Sequence, residues 1–90
     1  MKTIWKYQLA MTDNQIIKMP KGAKILCAQI QNGIPQLWAL VESDVPETDR
    51  YIEIYGTGHK VNGLNERDYI STIQMQEGSL IFHVFEYLGN

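Results

Sequence analysis

Asn32-Gly33 stands between two apolar runs, residues 24–31 and 34–42. Both residues tolerate the positive φ angles of a type I′ turn, so this dipeptide is a strong local signal for a β-hairpin. A hairpin in the middle of the chain needs other strands to cover its apolar side. The flanking sequence supplies them. Thr3, Trp5, Tyr7 and Leu9 alternate with Lys2, Ile4, Lys6 and Gln8, a period of two. Residues 15–19 are a short apolar run ended by Pro20, and Lys21-Gly22 reverses the chain. Residues 50–55 alternate Ile52 and Ile54 with Tyr51, Glu53 and Tyr55. Two further strands are expected over 69–76 and 79–87, around a tight turn at Glu77-Gly78.

No stretch shows a sustained helical period. Residues 10–19 and 62–69 leave room for one helical turn, residues 42–49 read as a polar loop, and 60–68 as an irregular excursion. The expected fold is all-β, or β-rich with at most a short helix. It is a small antiparallel β-sandwich or barrel of six to seven strands. Within residues 36–41 both parities are apolar, so that strand is buried on both faces or covered by another subunit. Trp38 and Phe82 are expected in the core.

Ninety residues make a single domain, residues 1–90. A composition 44% hydrophobic and 20% charged excludes a disordered chain. No apolar run reaches the roughly 18–20 residues that span a bilayer, and the N-terminus lacks the apolar segment of a signal peptide. The lone Cys27 excludes an intrachain disulfide and fits a reducing cytoplasm.

The net charge is −2 and the pI near 5.5, which argues against duplex nucleic acid as a partner. The charges are unevenly placed. Lys2, Lys6, Lys18, Lys21 and Lys24 face only Asp13 in residues 1–24. Glu42, Asp44, Glu47, Asp49 and Glu53 face only Arg50 in residues 42–53. The two blocks suit each other within one chain or between two.

The chain carries no catalytic set. Two histidines and one cysteine do not match a metal pattern, and Cys27 lies in an apolar strand as a small hydrophobe. No cofactor motif is present, and the chain does not read as an enzyme. The stretch Tyr55-Gly56-Thr57-Gly58-His59-Lys60 is the most informative. Glycines flanking a threonine let backbone amides approach a ligand and form an anion-binding concavity. The plainer reading is a strand that ends in a turn. His83 shares its face with Ile81, Phe85 and Tyr87, where a histidine is more often a satisfied structural residue.

Four stretches together carry a resemblance. They are Met19-Pro20-Lys21-Gly22-Ala23-Lys24-Ile25-Leu26, the run from Gln31-Asn32-Gly33 to Leu40-Val41, Gly56-Thr57-Gly58-His59, and Phe82-His83-Val84-Phe85-Glu86. In this order they resemble a family of small phage and prophage proteins of unknown function, over nearly the whole chain. The resemblance implies a bacterial virus or prophage origin and a bacterial cytoplasm. It extends to the oligomeric phage sponges that sequester cyclic-nucleotide immune signals, the anti-CBASS proteins. On that likeness, the Gly-Thr-Gly-His loop matches a phosphate clamp.

The resulting expectation is a non-enzymatic homo-oligomer, a dimer or tetramer, holding a small anionic ligand such as a cyclic nucleotide at subunit interfaces. Tyr55 or Trp38 stacks on a base. Gly56, Thr57, Gly58 and His59 hold phosphate, and Arg50, Lys60 or Arg67 neutralises charge. The alternative is a protein–protein module that binds a host factor or a phage assembly component through strand 36–41 and the acidic loop. A third reading is a small hydrolase using His59 or His83.

Overall fold

The computed structural model describes residues 1–61, 63 and 66–89. The central hairpin forms as its turn demands, with φ of 52° at Asn32 and 79° at Gly33. Its arms are β3 (Lys24–Gln31) and β4 (Ile34–Glu42). Around it lie β1 (Lys2–Gln8), β2 (Asn14–Pro20), β5 (Glu47–Gly56), β6 (Arg67–Met75) and β7 (Leu80–Tyr87). All pairings are antiparallel. One sheet has the order β1-β4-β3 and the other β2-β5-β7-β6. The fold is thus the expected small β-sandwich, a slab of 40 × 32 × 16 Å. No helix of the described residues is long and apolar enough to cross a membrane.

The strand period sorts the side chains. Leu37, Ala39 and Val41 of β4 face Ile52 and Ile54 of β5, Val84 of β7 and Ile73 of β6 in one core. Each large aliphatic side chain removed from water there contributes about 1.5–3 kcal/mol. Pro35 sits near the start of β4, and Pro20 ends the edge strand β2, where a missing N–H breaks no ladder.

Four expectations are corrected. Residues 14–20 hold a full strand in place of a helical turn, because they pair along β5 from Asn14↔Glu53 to Pro20↔Glu47. The same pairing draws 47–49, read as loop, into β5, and β6 occupies 67–69. Trp38 is not a core residue. It points from the outer face of the three-stranded sheet, half-buried, opposite Lys6 and Cys27 in the ladders. Of the expected irregular stretch 60–68, residues 62, 64 and 65 lie outside the described residues.

Two bulges interrupt the ladders. One lies between Ile25 and Cys27, the other between Tyr69 and Ser71. Each switches the face on which the residues after it project. The two bulged strands, β3 and β6, meet at the seam between the sheets, where the Ala28 N–H donates to Ser71 Oγ at 2.9 Å. Toward their N-terminal ends they diverge over a cavity of about 500 Å³.

Candidate functional site

The outer face of the four-stranded sheet carries most of the chain's aromatic side chains. Alternation puts Tyr51, Glu53 and Tyr55 of β5 on this face, opposite Tyr87, Phe85 and His83 of β7 in the ladder. From β6 come Arg67 opposite Tyr87 and Tyr69 opposite Phe85. Beyond the bulge, Thr72 and not Ser71 shares the face, opposite His83.

These groups make a continuous structure. Phe85 is met edge-on by Tyr55, with centroids 6.0 Å apart, and by Tyr69 at 5.6 Å. Such edge-to-face pairs are worth about 0.5–1.5 kcal/mol each beyond burial. The Arg67 guanidinium lies 5.2 Å from the Tyr87 centroid and 5.9 Å from that of Tyr55. Its Nε donates to Glu53, and its side chain is only 8% exposed. Burial first, then the bond to Glu53, raises the Tyr55 phenol above its ordinary pKa of 10.0, while Arg67 opposes the shift. Tyr55 therefore stays neutral. Tyr51 and Tyr69 protrude, 40% and 60% exposed.

A hydrogen-bonded chain borders the rings. Tyr69 Oη and Thr72 Oγ1 are 2.7 Å apart, Thr72 Oγ1 and His83 Nδ1 3.0 Å, and His83 Nε2 and Thr57 Oγ1 2.7 Å. In one consistent direction, Thr57 donates to Nε2 and Nδ1–H donates to Thr72, which donates to Tyr69. The chain fixes the imidazole at both ends and ties the turn after β5 to β7.

That turn is the Gly-Thr-Gly-His loop. The His59 N–H donates to Gly56 O at 3.0 Å, and Gly58 takes a φ of +87° that side chains disfavour. The His59 ring lies against Gly56, where an added Cβ would stand 2.9 Å from its Cε1. Hollows of about 270 and 380 Å³ flank the loop. Asp13, Glu53, Tyr55, His59 and Lys60 line the first. Thr57, His59, Leu80, Ile81 and Phe82 line the second. Lys60 is exposed and has no carboxylate partner among the described residues.

Of the residues singled out from sequence, Tyr55, Gly56, Thr57, Gly58, His59, Lys60 and Arg67 come together here, but the Arg67 guanidinium is already held by Glu53 and is not a free cation for a ligand. Two do not. Trp38 belongs to the opposite outer face of the slab. Arg50 projects inward at the seam, where Nε and Nη2 hold Glu86 and Nη1 donates to Ala23 O at 2.7 Å. Every arm of that guanidinium is engaged, so it is not a cation for a ligand at the loop. Tyr69, Thr72 and Phe85 join the site without having been expected there. The alternation of His83, Phe85 and Tyr87 signals Phe85. Thr72 gives no signal, because the bulge that turns it onto the face follows no local rule.

Among the described residues, no three His, Cys, Asp or Glu side chains gather into a metal site. No curated protein matches the chain. No solved structure matches it either. Residues 1–89 match the model of a family described as a domain of unknown function, DUF7352, and the chain belongs to that family.

Proposed function

We propose that this protein binds a nucleotide-type ligand without transforming it, on the tyrosine face of the four-stranded sheet. The observation that carries this reading is the ring cluster. Phe85 and Arg67 hold Tyr55, Tyr69 and Tyr87 in fixed orientations, and Tyr51 and Tyr69 offer protruding rings to flat partners. Pre-ordered rings bind planar bases at small entropic cost. His59 and Lys60 stand at the end of this face, where a phosphate gains charge and hydrogen bonds.

Of the hollows beside the loop, one, of about 270 Å³, falls below the range of small-molecule sites, about 300–1,000 Å³, and the other, of about 380 Å³, lies near its low end. A cyclic di- or trinucleotide needs more wall than one chain offers, so a homo-oligomer sharing this face supplies the rest. Sequestration of a cyclic-nucleotide immune signal, as by a phage sponge in a bacterial cytoplasm, asks for affinity and no turnover. Calorimetry with a panel of cyclic di- and trinucleotides tests the reading. Binding by the wild type that Tyr69→Ala weakens supports it, and no heat from any member of the panel ends it.

A second reading rests on charge. Among the strand residues of this face Arg67 is paired with Glu53 and Lys18 with Asp49, so the charge there is balanced away from Lys60 at its end. Exposed tyrosines on a nearly neutral surface also suit a protein partner. Stoichiometric capture of one host protein, lost in Tyr69→Ala, together with a silent nucleotide panel, selects this alternative.

A further inference from the structure

The cations on the strands are sorted by sheet. Lys18, Arg50 and Arg67 of the four-stranded sheet are held by Asp49, Glu86 and Glu53. The outer face of the three-stranded sheet differs. Lys2 and Lys6 on β1 and Lys24 on β3 stand there, and no carboxylate bridges them among the described residues. Glu42, on the same face, is taken by the Met1 ammonium.

The ladders place the rest. Ile4, Leu40 and Lys24 form one row, and Lys6, Trp38 and Cys27 the next. Below them the exposed Gln8 and Gln29 flank Gln36, which is itself buried. Lys6 Nζ donates to Gln31 Oε1 at 2.8 Å, which lays its stem along the sheet. The face therefore combines unpaired cations, one indole and a band of amides.

We infer that this face binds single-stranded nucleic acid. The three lysines match a phosphate backbone in charge. The Trp38 indole offers a ring for an unpaired base to stack on, and glutamine amides both donate to and accept from base edges. The net charge of −2 conceals this, because the acidic residues lie elsewhere or are already paired. A second copy does not fit the face. It would set lysine against lysine, and of the acidic block that could match it Glu42 and Asp44 hold the Met1 ammonium, Asp49 holds Lys18 and Glu53 holds Arg67, which leaves Glu47 alone against three lysines. A lipid surface fits poorly too, because the exposed apolar side chains Ile4 and Ile34 stand at separate rows with glutamines between them and form no continuous patch to enter a bilayer. The inference is independent of the tyrosine face, which lies on the other side of the slab.

The test is fluorescence anisotropy with a labelled oligo(dT) of about 10 nucleotides, within the range of single-strand site sizes. Three phosphate contacts give a slope of log affinity on log salt near about −2, a loss of roughly 20-fold between about 50 and 200 mM. Lys2→Gln/Lys6→Gln/Lys24→Gln is expected to flatten that slope and weaken binding at least about tenfold at low salt. Trp38→Phe is expected to weaken binding while its salt slope persists. Unchanged thermal melting shows that each variant is folded. No binding at low salt, or binding that survives the triple substitution, overturns the inference. So does loss in Tyr69→Ala alone, which would give the oligonucleotide to the tyrosine face. Lysine-dependent binding to anionic phospholipid vesicles without oligonucleotide binding would assign the face to a lipid surface and overturn it as well.

Discussion

Thr57 Oγ1 and His83 Nε2 lie 2.7 Å apart, and this bond ties the Gly-Thr-Gly-His loop to the strand that carries Phe85. The imidazole cannot turn away, because Thr72 holds its other nitrogen. His83→Phe keeps a ring at this position but removes both bonds. Net hydrogen bonds are worth about 0.5–1.5 kcal/mol each, so a loss of roughly tenfold in nucleotide affinity is expected by calorimetry. Wild-type affinity in His83→Phe would show that the loop needs no tether.

Arg50 and Glu86 form the ion pair at the seam, with side chains 18% and 10% exposed. Removing one partner of such a pair strands the other charge, at a cost of about 3–5 kcal/mol. Arg50→Ala is expected near the low end, about 3 kcal/mol, because the adjoining cavity admits water to Glu86. Urea unfolding measures it. A change below about 0.5 kcal/mol, the size of an ordinary surface substitution, would mean that the pair is solvated.

The turn between β6 and β7 places Gln76 at φ 50° and Glu77 at φ 56°, in the left-handed region. Side chains there cost about 1–2 kcal/mol, part of which glycine recovers after its larger unfolded-state entropy is counted. Glu77→Gly is therefore expected to stabilise the chain by about 0.5–1 kcal/mol in chemical unfolding. A destabilisation would show that Glu77 makes a contact that outweighs its backbone strain.

The Met1 ammonium is raised above its ordinary pKa of 8.0, first by its bond to Asp44 and then by that to Glu42. A group whose folded pKa is raised adds stability that is complete below the unfolded value and is lost as pH rises through the folded one. The tether is thus intact below pH 8.0 and fades in the alkaline range above it. An N-terminally acetylated chain is expected to show a smaller fall in thermal midpoint over that window. Identical alkaline profiles for the two forms would remove the tether from the stability of β1.

The strands were legible in the sequence because their signals are local. Asn32-Gly33 specifies its own turn, and the alternation of Tyr51, Glu53 and Tyr55 with Ile52 and Ile54 specifies a face. What escaped depends on distant partners. Residues 47–49 look like loop until β2 pairs with them. Trp38 looks like core until both faces of β4 are seen, one against the other sheet and one outward. Arg50 and Arg67 are alike as sequence, yet parity sends one to the seam and the other between tyrosine rings. The bulge after Tyr69 brings Thr72 to His83, and no alternating pattern contains that step. Of the basic block only Lys18 meets the acidic block among the described residues, through Asp49, while Glu42 and Asp44 are taken by the Met1 ammonium.

The most direct test of the tyrosine face as the nucleotide site is chemical-shift mapping by NMR during titration with the cyclic nucleotide that gives the largest calorimetric response. Perturbations are expected to gather on residues 55–60, on Arg67, Tyr69 and Thr72, and on His83, Phe85 and Tyr87, leaving Trp38 and the rest of β4 undisturbed. Perturbations centred on the seam around Arg50 and Glu86, or on Trp38, would contradict it.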